Sequence, residues 1–216
     1  VIDSLSAEVR NLSTGLGVSS ADLIKTANTL RQAGLSIADI RKSLDALAKT
    51  TLAPNFDDLT ETVEGFIAVN SQFGGSIDET IKSLSKINTV ASAYAAESSD
   101  LITSVQKTGS AFKAAGGSIE ELIGIITSVR STTRESADTI ATGLRTIIAR
   151  TQRLGTITEL KQFGIDITAN AEQAKRLGVA VGDILPIFER FRVISQGVSG
   201  FSESDPRFAQ IIELVG

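Results

Sequence analysis

Few residues in this 216-residue chain have the type and spacing to do chemistry: two adjacent carboxylate pairs, one glycine-flanked serine and a run of arginines. Asp57 with Asp58, and Glu120 with Glu121, have the make-up of an acid/base pair or a cation site. The chain has no His and no Cys, so the usual general base, thiol nucleophile and soft metal ligands are missing. Ser118 in "GGS" suggests a nucleophile elbow, but G-x-S-x-G is not completed and no histidine exists to activate the hydroxyl. Neither a G-x-x-x-x-G-K-[ST] loop nor a G-x-G-x-x-G turn after a strand occurs. Both carboxylate pairs have a simpler reading, because each falls in the first turn of an expected helix, where the helix dipole favours negative charge. Arg130, Arg134, Arg145, Arg150 and Arg153 face only Glu135 and Asp138, a net of +3 over residues 130–153. Arginine forks phosphate well. A solvated helix face, or a rim against an acidic neighbour, fits better, because arginines scattered over two helices do not form a stripe. The sequence therefore assigns no catalytic, cofactor-binding or metal-binding residue.

The elements that would carry these residues are helical. Ile37, Ile40, Leu44 and Leu47 step at helical spacing, as do Ile119, Leu122, Ile126 and Val129, and no strict alternation competes with them. Helices are predicted near 3–13, 20–33, 37–50, 57–72, 77–95, 99–114, 119–131, 135–153, 170–177, 182–194 and 206–215. One word recurs between them: "AGLSIADI" (33–40), "FGGSIDETI" (73–81) and "AAGGSIEELI" (114–123). In each, a glycine can end one helix in the left-handed conformation. Ser36, Ser76 and Ser118 can then cap the next helix, with Asp39, Glu79 and Glu121 reaching back to complete the box. "GVSSAD" (17–22) is a fourth copy, through Ser19 and Asp22. The three serines stand 40 and 42 residues apart, which predicts three helical hairpins. The expected fold is all-α, an irregular stack of helical hairpins joined by Gly/Ser capping corners, since the break at "APNFDD" (53–58) and the one at "AESSD" (96–100) do not match.

Three regions are expected: a helical core over 1–155 with units from 36, 76 and 118; shorter helices over 156–194 that pack on the core or on a partner; and a Gly/Ser linker with a terminal helix over 195–216. Thr156 and Glu159 form a possible cap, and Pro186 is placed to begin or kink a helix. Gly65, Gly109, Gly124 and Gly143 fall inside predicted helices, where close helix packing is the preferred explanation and a hinge the alternative. The net charge of −4 argues against a dedicated nucleic-acid binder. No run of about 18 apolar residues is present, so no membrane contact is expected of this segment. Lacking any Met, the chain reads as a piece of something longer.

Ordered blocks of the sequence resemble one family. "GVSSADLIKTANTLRQAGLSIADIRKSLDALAKTT" (17–51) and "VASAYAAESSDLITSVQKTGSAFKAAGGSIEELIGIITSVRSTTRESADTIATGLRTIIARTQRLG" (90–155) are similar to the core of phage tail tape measure proteins. Val105 to Leu122 carries the family's small-residue and capping block. Ala141, Thr142, Gly143, Leu144 and Arg145 stand where its "G-T-A-L-R" helix falls, in altered order. The resemblance covers roughly residues 16–170. It implies a structural virion protein that sets tail length during assembly and takes part in genome ejection, located in the tail lumen and, before assembly, in the host cytoplasm. It further implies tail tube and tail-tip or baseplate proteins, tail assembly chaperones and further copies of itself as partners, with no specific nucleic acid. A prophage or a phage-derived bacteriocin particle is an equally suitable source. The alternatives are a cellular helical-repeat scaffold that binds a protein or peptide, and an α-helical enzyme working with carboxylates alone.

Overall fold

The computed structural model describes residues 2–50, 59–94 and 97–216. Eight long helices form its larger part: α1 (Ile2–Leu16), α2 (Ser20–Gln32), α3 (Ile37–Thr50), α4 (Leu59–Phe73), α5 (Ile77–Tyr94), α6 (Ser98–Ala114), α7 (Ile119–Thr133) and α8 (Ala137–Arg150). Shorter ones follow: α9 (Leu154–Gln162), α10 (Ala171–Leu177), α11 (Ile187–Val198) and α12 (Pro206–Val215). The fold is all-α.

The long helices are arranged more regularly than their sequence spacing suggests. Each packs on its chain neighbours and on the helix two places along, so α1, α3, α5 and α7 make one layer and α2, α4, α6 and α8 the other. That is the nearest-neighbour plan of a helical solenoid. Leu44, Phe66, Ile87, Leu101, Phe112 and Leu122 are all buried along the seam between the layers. The three Gly–Ser corners (33–36, 74–76 and 115–118) each return the chain from the even layer to the odd one, so they line one edge of the stack.

Small and hydroxyl-bearing residues let the even layer close tightly. Thr108 Oγ1 donates to the Ala141 carbonyl at 3.1 Å, and Ser104 Oγ reaches the Ala137 carbonyl at 3.5 Å, joining α6 to α8. Between α4 and α6, a Cβ added at Gly65 would lie 2.8 Å from the Ile102 side chain, and one at Gly109 would strike Gln72 and Phe73. Gly65 and Gly109 are thus packing glycines. Gly124 and Gly143 are not, because a Cβ at either meets nothing within 4 Å. Helix-interior Gly gives up about 1 kcal/mol against Ala. Gly124→Ala and Gly143→Ala are each expected to raise unfolding stability by about that much in urea titration, and Gly65→Ala to lower it.

The odd layer is tied by ion pairs between successive units. Lys42 on α3 meets Asp78 on α5 at 2.6 Å, Lys86 on α5 meets Glu120 on α7 at 2.5 Å, and Arg41 meets Glu8 on α1 at 2.8 Å. Asp78 and Glu120 occupy the same place in successive repeats, the second residue of α5 and of α7. These pairs are half-exposed and contribute little stability each. Their regular placement fixes the register between units.

Beyond α8 the chain departs from the expected outline. α9 begins at Leu154, behind Arg153 as N-cap, so Thr156 is buried inside a helix instead of capping one. Ile165, Ile167 and Ala169 alternate with exposed or half-buried neighbours and form a short antiparallel bridge, Thr168 with Ile184, that brackets α10. Pro186 does begin a helix, but α11 runs through Val198 and so takes up the first residues of the expected Gly/Ser linker. Ile157, Leu160, Ile165, Ile167, Ile194 and Ile211 close a second apolar cluster, and α12 packs on α8 and α9.

Candidate functional site

The recurring corner word can now be compared copy by copy. Ser118 and Glu121 form a complete capping box: the Glu121 amide donates to Ser118 Oγ at 3.2 Å and the Ser118 amide to the Glu121 carboxylate at 2.8 Å. Ser76 and Glu79 do the same at 3.3 and 2.7 Å. At the first corner the Asp39 amide donates to Ser36 Oγ, but the aspartate, one methylene shorter, takes the Ser36 hydroxyl instead of the backbone N–H. The fourth copy fails as a box, since Ser19 holds the N-cap position of α2 without a side-chain cap bond. Asn170 and Gln173 supply a further box that the Ser-based pattern does not contain.

The residues singled out for chemistry are dispersed by these roles. Asp57 and Asp58 lie outside the described residues. Glu121 is used by its cap, while Glu120 turns to Lys86, whose hydrogen bond is the main cause of a carboxyl held below the usual glutamate value. Two neighbours in sequence therefore serve different contacts, and no shared proton or cation site forms between them. Among the described residues no group of three or more Asp or Glu side chains is placed to hold a metal ion. No helix there is long and apolar enough to cross a membrane.

The arginine run divides as well. Arg130 pairs with Asp100 at 2.5 Å and donates to the Glu135 carbonyl; burial of Asp100 raises its carboxyl above the usual value, with Arg130 acting in the opposite direction. Asp138 pairs with Lys107. Arg150 donates to the Glu213 carbonyl at the end of α12, at 2.6 Å. Arg134, the left-handed C-cap of α7 at φ +60°, Arg145 and Arg153 are exposed, and the last two line a groove between α6 and α8 with Ala111, Ala114, Thr142 and Ala149.

The most constrained polar group is one the sequence reading passed over. Arg190 is 3% exposed, on the same face of α11 as Ile187 and Ile194. Its Nε donates to the Leu185 carbonyl at 2.6 Å, Nη1 to Thr151 Oγ1 at 3.1 Å and Nη2 to the Ala115 carbonyl at 3.3 Å. Burial pulls the guanidinium down to about 10, so it is still a cation at neutral pH. The three acceptors come from the α6–α7 corner, the C-cap of α8 and the approach to α11. The Ile187 amide donates to the same Ala115 carbonyl at 2.9 Å. Around them a Cβ on Gly116, whose φ is +82°, would lie 3.3 Å from Pro186, and one on Gly117 would strike the Phe112 ring and come within 2.9 Å of Ile187. The corner "AAGGS" is therefore also the socket into which α11 seats. A signal for this was present: "IFERFRVI" puts an arginine at i+3 of an otherwise apolar stripe.

Stacked hairpins whose polar residues go to caps, register pairs and one buried joint define a helical scaffold. The particular family follows from the sequence: the family model of the phage-related minor tail proteins matches residues 6–199, taking in all of α2 to α11. The chain belongs to that family. No solved structure matches it significantly.

Proposed function

We propose that this chain is a core segment of a tail tape measure protein, which sets tail length during assembly and takes part in genome ejection. The observation that carries the reading is the combination of membership in a phage minor tail family with a body made of repeated, register-locked hairpins. Such a body encodes length in its number of units and needs no chemical centre. On this reading the chain lies in the tail lumen, tail tube subunits assemble around it, and tail-tip proteins, assembly chaperones and further copies of itself are its partners. The family membership favours this over a cellular scaffold.

The test is an in-frame deletion of residues 76–117, one corner-to-corner unit, in the full gene, followed by electron microscopy of virions. A ruler that lies extended as helix is expected to shorten the tail by about 1.5 Å per deleted residue. One that keeps the stacked form shortens it by about 10 Å per hairpin, the usual helix-to-helix spacing. Assembled tails of unchanged length overturn the ruler.

A further inference from the structure

The chain after α8 closes a core of its own. Ile157, Leu160, Ile165, Ile167 and Ile211 belong to one apolar cluster, Ala174 and Leu185 to another beside it, and Val193 packs against both. None of these takes part in the core of the stack. The backbone of this body is tied internally as well. The Ala169 amide donates to the Asp183 carbonyl at 2.8 Å, and the Leu185 amide to the Ile167 carbonyl at 2.9 Å. Arg176 on α10 meets Glu189 on α11 at 3.2 Å. A Cβ on Gly197 would lie 2.5 Å from the Ile165 side chain, so α11 sits tightly on its own body.

Few groups join that body to the stack. Ile187 and Phe191 enter the main core, and the Ile187 amide and Arg190 share the Ala115 carbonyl. α12 packs on α8, where Arg150 donates to the Glu213 carbonyl. Among the described residues no ion pair crosses from one to the other. The covalent link is slight too. Residues 151–153 form a turn, Leu154 just after it is 81% exposed, and a Cβ on Gly155 meets nothing within 4 Å. Thr151 alone is buried in this turn, and Arg190 Nη1 donates to its Oγ1. One side chain thus bonds both the third corner and the turn.

We propose that residues 154–216 are a clasp that swings open as one body about the 151–153 turn, with Arg190 as its pin. Opening uncovers Ile187 and Phe191 and frees the third corner, while the clasp's own clusters stay closed. A unit with its own core and few outside contacts opens at a lower free energy than it unfolds. The turn is where the change in φ and ψ is absorbed. Desolvation of the guanidinium offsets part of what its three bonds contribute, which makes the joint the weaker side.

The chain has no cysteine, so paired labels are free of background. Spin labels on Lys113→Cys with Ser195→Cys span the joint, and labels on Gln162→Cys with Ser195→Cys lie inside the clasp; all three positions are exposed. Pulsed distance measurements are expected to give one distance for the inner pair and, for the outer pair, a second, longer distance of small population. Thr151→Val keeps the volume and removes one acceptor of the pin, and is expected to raise that population about fivefold. Arg190→Met is expected to raise it further, with the inner pair unchanged in both variants. Should Arg190→Met fail to fold, Thr151→Val decides alone. A longer distance absent from all three proteins, or an inner pair that broadens together with the outer one, overturns the clasp. A longer population equal in the parent and the variants overturns the role of Arg190 as its pin.

Discussion

Arg190→Met is expected to lower the unfolding free energy by about 3 kcal/mol and to loosen the C-terminal helices before the stack. The sign has to be argued, because burying a cation without a carboxylate is unfavourable and an apolar replacement often relieves it. Three hydrogen bonds from a charged donor contribute about 1.5–3 kcal/mol each. Against them stands an effective desolvation penalty of several kcal/mol. The acceptors decide the balance. The Ala115 carbonyl keeps the Ile187 amide and Thr151 keeps its bond to the Ile147 carbonyl, but the Leu185 carbonyl loses its 2.6 Å partner in a buried setting. Methionine fills much of the volume and satisfies none of these groups, so the net effect is a loss. Arg190→Lys keeps the charge but cannot span three acceptors, and is expected to fall between the two. Urea denaturation gives the magnitude. Amide hydrogen exchange gives the location, with protection lost first over α11 and α12. If Arg190→Met proves neutral or stabilising, Arg190 is a tolerated burial and the α11 joint is held by Ile187 and Phe191 alone.

Where the fold was readable in the sequence, the reason is local. A Gly–Ser corner announces itself because the chemistry that ends one helix and starts the next lies within about five residues. Apolar stripes such as Ile37, Ile40, Leu44 and Leu47 carry their own period, and three of these four are fully buried. What was not readable depends on partners far along the chain. Nothing near Gly124 or Gly143 reveals that their faces are open while those of Gly65 and Gly109 are closed by α6 and α4. The regular two-layer stacking is likewise a property of pairs such as Lys42 with Asp78 and Lys86 with Glu120, which lie more than thirty residues apart. Thr156 and Ser19 failed as caps for different reasons. Thr156 lies in a helix already begun at Leu154, whereas Ser19 holds the right position without making the bond.

The candidate site divided along the same line. Glu120 and Glu121 looked like one feature because sequence adjacency is all that a list of residues can show. On a helix, neighbours point about 100° apart, and here that turn sends one carboxylate to its own cap and the other to the preceding unit. Arg190 was hidden because a charged residue in an amphipathic helix is ordinarily taken as solvated. Its burial became evident only when the corner at Ala115 was placed beside it.

The corner at 114–118 therefore carries a second load that its two sister corners do not, and substitution can separate the loads. Gly34→Ala at the first corner is expected to lower stability by about 1 kcal/mol, the left-handed penalty for an L-residue at φ +89°, since an added Cβ meets nothing within 4 Å. Gly117→Ala is expected to cost about 3 kcal/mol, although its backbone carries no such penalty. The reason is packing: the new methyl enters the space of the Phe112 ring, which is fully buried, and lies 2.9 Å from Ile187 Cγ2. Overpacking of this kind runs to about 1–3 kcal/mol, and the upper end applies because Phe112 is fully buried and the new methyl meets Ile187 as well. Relief by backing Ile187 away would lengthen its 2.9 Å amide bond to Ala115 and disturb Arg190 with it. Gly117→Ala and Arg190→Met should then add to less than the sum of their separate effects, because both release α11 from the same socket. Full additivity, or equal effects at Gly34 and Gly117, shows that the third corner is only a helix stop and that α11 is seated elsewhere.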